Sequence, residues 1–309
     1  VATNAGGINV VRHGMTSDQV VGVEAVLGDG RVLSSLSGLE KDNTGYDLVS
    51  LMCGSEGTLG IVTAARVRLV PRHSHVTTVL VGFVSVADAV HAVGAVCLGL
   101  DVIDAAELML ADGVSLVART FDVPMPFDAP VFVLFEASAD SDPSESFEGL
   151  LAGCAGVVHT AVAVDARSRR DLWRLRDEHT AAIATRGVPH KFDVTVRVSD
   201  LPEFLDRVRR AVAGHCPEAT TYVFGHVADG NMHVNVLGST DNDADVEEAV
   251  LGLVLEMGGS VSAEHGVGRL KREWLPRQRS ATEIDLMKSI KRAFDPDLVL
   301  NPNVLLTRW

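Results

Sequence analysis

The chain has 309 residues and is 47% hydrophobic, enough for one large or two ordinary domains with a substantial core. Lys and Arg number 27 against 41 Asp and Glu, a formal net charge of −14. That balance argues against nucleic acid or an anionic membrane as a partner, and it requires any site for an anion to supply its own local positive charge.

The four cysteines, Cys53, Cys97, Cys154 and Cys216, are scattered without a C-x-x-C pair, so reduced thiols and a cytoplasmic location are expected. No apolar run reaches the roughly 20 residues of a membrane span. Residues 150–164 are apolar but short and contain His159, and no signal peptide is visible. Val1 opens directly into ATNAGGINV, a Gly-rich stretch that reads as the middle of a domain, so the chain is expected to be a fragment.

In chain order, residues 20–35 read as a hairpin turning at Gly28-Asp29-Gly30. Residues 53–70 read as a glycine-punctuated loop running into a strand; Gly54, Gly57 and Gly60 suit close backbone approach to a ligand or, equally, a tight connection. Pro71 and Arg72 look like a boundary. Beyond it come a strand over 76–84, a helix over 86–100, a β/α stretch opening at VIDAAELML, and a strand over 131–138. A strand-like segment over 158–165 precedes a helix expected to span 166–186, on which Trp173, Arg176 and Thr180 share a face. KFDVTVRV then alternates with period two, placing Lys191, Asp193, Thr195 and Arg197 on one side. By themselves Arg176 and Lys191 read as members of a solvated polar face. Helices are expected over 200–215 and near 243–257, with C-terminal helices closed by FDPDLVLNP. Strands and helices mixed with antiparallel hairpins indicate an α+β fold.

Two polar segments carry the chemistry: GHVADGNMHVNV (225–236) and SAEHGVGR (262–269). Asp229-Gly230 suits a two-residue type I′ turn, which would make His226 and His233 a directly opposed pair with Asn235 on the same face. With Glu264 and His265 downstream, these residues offer what a catalytic divalent metal site with an adjacent base needs. Two His and a Glu also suit water activation, so a zinc-type hydrolase is an alternative.

With these residues assembled, the chain resembles the FAD-linked D-2-hydroxyacid dehydrogenases of the vanillyl-alcohol-oxidase type, a family that includes D-lactate dehydrogenase, the glycolate oxidase flavin subunit and D-2-hydroxyglutarate dehydrogenase. The resemblance rests on TNAGG (3–7), KDNTGYDL (41–48), GSEGTLGIVT (54–63), WRLR (173–176), GHVADGNMHVNV, SAEHGVGRLKR (262–272) and FDPDLVLNP (294–302), in family order across essentially the whole chain. It departs from the family at Ala228, where His-x-Gly-Asp-Gly-Asn is usual, and in the missing pyrophosphate-binding loop upstream of TNAGG.

The resemblance implies a partial FAD-binding domain over 1–72, a substrate or cap domain with an antiparallel sheet covered by helices over 73–270, and a C-terminal helical segment over 271–309. It implies that Thr3, Asn4, Gly6, Gly7, Gly54, Glu56, Gly57, Gly60, Ile61 and Asn301 contact FAD. His226, His233 and Glu264 match ligands of a divalent metal: zinc, with manganese or iron(II) as alternatives. Arg176, Thr180, Lys191, Asn235 and His265 match residues around the substrate, and this replaces the solvated-face reading of Arg176 and Lys191. His265 would be the general base, a role common for imidazole side chains. The expected reaction is oxidation of a small anionic D-2-hydroxy acid to the 2-oxo acid, hydride going to flavin N5 and electrons on to a separate acceptor. Arg176, Thr180 and Lys191 together lean towards a dicarboxylate such as 2-hydroxyglutarate. A homodimer is one assembly open to the protein, and a flavin-free, inactive fragment is the alternative for this chain.

Overall fold

The computed structural model describes residues 1–39, 41–239 and 243–306. The strands are β1 (Val20–Val26), β2 (Val32–Ser35), β3 (Ile61–Val67), β4 (His75–Phe83), β5 (Ile103–Leu110), β6 (Val131–Ala139), β7 (Val157–Val162), β8 (His190–Thr195), β9 (Thr220–His226) and β10 (Asn231–Leu237). The helices begin with the short α1 (Val10–His13), α2 (Thr16–Gln19) and α3 (Leu48–Met52). They continue with α4 (Val86–Gly99), α5 (Ala111–Phe121), α6 (Ser144–Ala152), α7 (Ala166–Asp177), α8 (His179–Ala184), α9 (Leu201–His215), α10 (Asp243–Glu256), α11 (Leu275–Gln278) and α12 (Ala281–Phe294). The fold is α+β.

The chain divides into two compact units. The first comprises residues 1–7, 13–71 and 261–309; the second comprises 8–12 and 72–260. Residues 261–270, with Glu264 and His265, therefore lie in the first unit.

The first unit holds an antiparallel sheet in the order β2-β1-β3. Val20, Val23 and Ala25 of β1 pack with Met52 and Leu59, and Ile290 and Phe294 of α12 lie against them. Ser280 starts α12 through a reciprocal capping box with Glu283, which satisfies two amides that no helical carbonyl can reach.

The second unit is a fully antiparallel sheet in the order β7-β4-β6-β5-β9-β10-β8. Side chains alternate between its faces. One face carries Leu80, Met109, Leu134 and Phe224 and packs under α5, α7 and α8 through Val114, Val117, Leu175, Ala182 and Ile183. The other carries Val133 and Phe135, and Phe135 meets Phe147 of α6 at a 6.0 Å ring separation. Residues 8–12 join this unit through Arg12, whose Nη1 donates to Asp104 at 2.5 Å and to the carbonyls of Val102 and Ser138 at 3.1 and 3.0 Å.

Two expectations are corrected here. The β9–β10 connection is the four-residue loop 227–230, not a two-residue turn. A type I′ turn needs positive φ at both central residues. Only Gly230, at +80°, has it; Asp229 instead accepts the Asn231 N–H at 2.9 Å through its carboxylate. The Val227 amide is diverted to Ala106 O on β5, and Gly230 N–H closes on His226 O. His226 consequently faces Asn231, and His233 faces Phe224. A Cβ at position 230 would also collide with Val196 O, so only glycine fits there.

The helix expected over 166–186 is broken at Glu178 into α7 and α8. Asp165 starts it, accepting from the Arg167 and Ser168 amides. The break places Arg176 inside the unit and Thr180 at its surface, so they are not stacked on one helix face.

Candidate active site

The site in the second unit is built on one face of four adjacent strands. The ladder Glu107↔His226↔Asn231↔Thr195 runs across β5, β9, β10 and β8. Beside it runs Met109↔Phe224↔His233↔Asp193, and then Tyr222↔Asn235↔Lys191. Of the residues predicted from sequence, this face gathers His226, His233, Asn235 and Lys191. The two histidines are a diagonal pair with ring centroids 5.3 Å apart, set edge to face. His226, Asn231, Asn235 and Asp193 are buried; Lys191 is exposed at the sheet edge.

Helix α7 supplies the rest. Arg169, Trp173 and Arg176 recur at i, i+4 and i+7 and so form one stripe facing the sheet. Arg169 grips Glu136 with a two-point fork, Nε and Nη2 both at 2.8 Å, and Trp173 Nε1 donates to the same carboxylate at 2.6 Å. One step along the stripe, Arg176 Nε donates to Glu107 at 2.5 Å. The Arg176 guanidinium also lies over the Phe224 ring, 4.7 Å from its centroid. Its Nη groups make no hydrogen bond among the described residues.

Glu107 is the residue that sequence reading missed. It is 0% exposed, on a strand whose eight residues are all buried. A buried carboxylate must be paired to be tolerated. Glu107 Oε2 takes the Arg176 Nε–H, and Oε1 takes His226 Nδ1–H, both at 2.5 Å. Burial alone would raise its pKa; the Arg176 charge and the His226 contact together outweigh that and hold it below the usual carboxylate range. The available signal was Glu107 in VIDAAELML, a mostly apolar strand whose other charged residue, Asp104, is also acidic, so that the segment holds no cation to pair it.

The bond to Glu107 sets the His226 tautomer, so coordination by this ring would run through Nε2. His233 has its own carboxylate neighbour, Asp193, 3.6 Å from Nδ1; Asp193 also accepts from Asn231 Nδ2 at 2.8 Å. Metal-binding imidazoles are commonly oriented by such carboxylates, so this pair fits part of a divalent-metal ligand set. Among the described residues, no three His, Cys, Asp or Glu side chains form a metal-binding cluster.

His179 underlies Arg176. It is 1% exposed, donates Nδ1–H to Arg176 O at 3.2 Å, and stacks obliquely on Phe224 at 4.7 Å. Burial, reinforced by the Arg176 charge, drives its pKa down to about 3. The folded state therefore keeps His179 neutral, whereas the unfolded chain takes up a proton below about pH 6.5. Stability is fully present above that pH and is lost as pH falls towards 3. Between pH 6.5 and 4.5 the loss from this group is about 2–3 kcal/mol. Urea midpoints at pH 7 and pH 5 check this: His179→Asn should flatten the difference, and an unchanged pH slope would refute it.

In the first unit, the predicted flavin-contact segments converge on Glu56. Its φ is +50°, its N–H donates to Ala2 O at 2.7 Å, and its carbonyl accepts from Asn301 Nδ2. Its carboxylate accepts the Val267 and Gly268 amides at 2.8 and 2.7 Å. A Cβ at Gly266 would lie 2.7 Å from that carboxylate, and φ there is +79°. Glu56 thus ties the 54–60 loop to the chain start, to Asn301, and to the loop bearing Glu264 and His265. Asn4 joins the knot by accepting the Ser17 amide at 2.7 Å, and Gly54 N–H bonds Val1 O at 3.1 Å. Gly6 is buried, while Thr3, Gly7 and Ile61 are exposed and Gly60 packs against Met52.

Lys291, also missed from sequence, is 0% exposed and donates to Thr58 O, Leu300 O and Asp295, at 2.8, 2.7 and 2.5 Å. It holds the glycine loop and the C-terminal loop in one place. The i,i+4 pairing with Asp295 is local, whereas the bond to Thr58 O, 233 residues away, was not readable from the sequence.

Residues 72–305 match the family described as FAD linked oxidases, C-terminal domain. The chain is 36% identical over 323 residues to D-2-hydroxyglutarate dehydrogenase of Stutzerimonas stutzeri (strain A1501), covering 98% of this chain and 68% of that protein. It is 37% identical over 328 residues to the enzyme of that name from Xanthomonas citri pv. viticola, covering 99% and 67%. Against the mitochondrial D-2-hydroxyglutarate dehydrogenase of Danio rerio it is 33% identical over 313 residues and spans 58% of the relative's length. In fold it is similar to 4-ethylphenol oxidase from Gulosibacter chungangensis, with a TM-score of 0.69 at 15% identity over 97% of this chain and 69% of that one. It is likewise similar to alkyldihydroxyacetonephosphate synthase, with a TM-score of 0.63 at 16% identity over 97% and 56%.

Fold and motifs together define a protein of the FAD-linked oxidase class. The chain belongs to the family of FAD-linked D-2-hydroxyacid dehydrogenases.

Proposed function

We propose that the protein oxidises a small D-2-hydroxy acid to the 2-oxo acid, with FAD as electron acceptor and assistance from a divalent metal. The observation that carries this reading is the sheet face that gathers His226, His233 and Asn235, with Arg176 of α7 and His226 both bonded to the buried Glu107. The flavin would supply a two-electron acceptor. The metal would supply a Lewis acid for the substrate hydroxyl, held by His226, His233 and Glu264.

The remaining chemistry belongs to the chain's own groups. Arg176, with Nε committed to Glu107, would present its Nη fork to a carboxylate. Lys191 would add a point charge at the edge of the same face. Asn235 would hydrogen-bond the substrate, and His265 would take the hydroxyl proton. A chain of net charge −14 gains local attraction for an anion only where such cations are concentrated. The glycine loop, Asn4 and Asn301, fixed by Glu56 and Lys291, are the segments that would meet the flavin. Residues 1–72 and 271–309 are assigned to that part and 73–260 to the substrate-binding part, with 261–270 contributing Glu264 and His265. We place the protein in the cytoplasm and its electrons on a separate acceptor. No described helix is long and apolar enough to cross a membrane.

D-2-hydroxyglutarate, named for the relatives, is the expected substrate, because two cations suit two carboxylates. Turnover of D-2-hydroxyglutarate, D-lactate, D-malate and glycolate by the flavin-loaded protein with a dye acceptor tests this, the dicarboxylates being expected to have the higher kcat/KM. Dialysis against a chelator should lower activity at least tenfold and readdition of zinc or manganese should restore it; full activity in metal-free protein would remove the metal role.

A further inference from the structure

The two chemical functions proposed above, metal coordination by His226 and carboxylate binding by Arg176, are held by the two oxygens of one carboxylate. Glu107 is on β5, His226 on β9 and Arg176 on α7, separated by 119 and 69 residues along the chain from Glu107. No element other than Glu107 touches both groups through a charged hydrogen bond among the described residues. It is 0% exposed, so water cannot substitute for either contact. Phe224 walls the arrangement, stacked against Arg176 and tilted against His233 at 5.2 Å. Displacing the carboxylate to suit one partner therefore withdraws it from the other.

We infer that Glu107 is a positioning residue shared by the two: it fixes the His226 ring for metal and the Arg176 fork for the substrate carboxylate. The inference rests on the proposed reading of His226 and Arg176. Its physical content is a count of donors and acceptors. Glu107 offers two acceptor oxygens to two N–H donors. A glutamine of the same shape offers one oxygen and one NH2, so one of the two partners must face a donor.

The test is Glu107→Gln in the full chain, with Glu107→Asp as a charge-retaining control. Three readouts are used: zinc affinity by chelator competition, the KM for D-2-hydroxyglutarate, and the His226 ring tautomer by 15N NMR, assigned with His226→Asn. In the parent the ring is Nδ1-protonated. In Glu107→Gln, zinc affinity is expected to fall about 10–100-fold, KM to rise at least several-fold with a smaller change in kcat, and the tautomer signal to become mixed. Glu107→Asp should recover part of each. If Glu107→Gln does not fold, Glu107→Asp carries the decision, its shorter reach being expected to weaken zinc binding and substrate binding together. A purely structural role predicts a lower melting temperature with the tautomer, zinc affinity and KM all at parental values, and that result would overturn the inference. A parent that takes up no zinc removes the metal part of the proposed function instead, and the tautomer and KM still decide whether Glu107 positions its two partners.

Discussion

His265→Ala in the flavin-loaded protein is expected to lower kcat by about 10²–10⁴-fold, the range spanned by loss of a general base. The residue sits on the 262–268 loop, which Glu56 holds through two backbone amides. That anchoring uses the main-chain amides of Val267 and Gly268, which the substitution retains. Flavin content and melting temperature, measured beside the kinetics, separate loss of the base from loss of the fold. Raising pH should recover part of the lost rate if hydroxide or water replaces the imidazole as base. Steady-state kinetics from pH 6 to 10 on parent and variant are the measurement, and turnover within a few-fold of the parent would exclude His265 as the base.

Arg176→Ala is expected to act on stability as well as on binding. Its partner Glu107 is wholly buried, and removing one member of a buried ion pair strands the other charge, at a cost of about 3–5 kcal/mol. Stacking over Phe224 is lost in addition. Arg176→Lys should retain charge but not the combined Nε contact and Nη fork, because an ammonium cannot hold two planar acceptors in parallel. The expected ranking in urea midpoint is parent, then Lys, then Ala. For Arg176→Lys, the KM for a 2-hydroxy acid should rise by at least tenfold. Equal KM in parent and Lys variant would show that Arg176 does not hold the substrate carboxylate, leaving its stabilising role intact.

Much of the site was legible in the sequence because chemistry-bearing residues stand in short motifs whose local periodicity fixes their face. The two-residue turn assigned to Asp229-Gly230 was wrong, yet His226, His233 and Asn235 still share a face. Replacing a two-residue loop by a four-residue one shifts the β9–β10 pairing by an even number of positions, and even shifts preserve the face. The helix over 166–186 was right in type and missed its break, because residues 177–181 contain no Gly or Pro to announce one. Thr180 was carried to the wrong side of the helix by the same omission.

The sequence by itself determined the α+β class, which depends on the 2.0 and 3.6 periods of strand and helix, and the family motifs, whose resemblance supplies the candidate residues for metal, flavin and carboxylate. Only the tertiary structure decided which groups share a hydrogen bond. Glu107 lies 69 residues from Arg176 and 119 from His226, and Glu56 lies 211 residues from Val267. At such separations local pattern carries no information on pairing. For Glu107 burial decides it: the carboxylate has been removed from water and is stable only where the fold brings it donors.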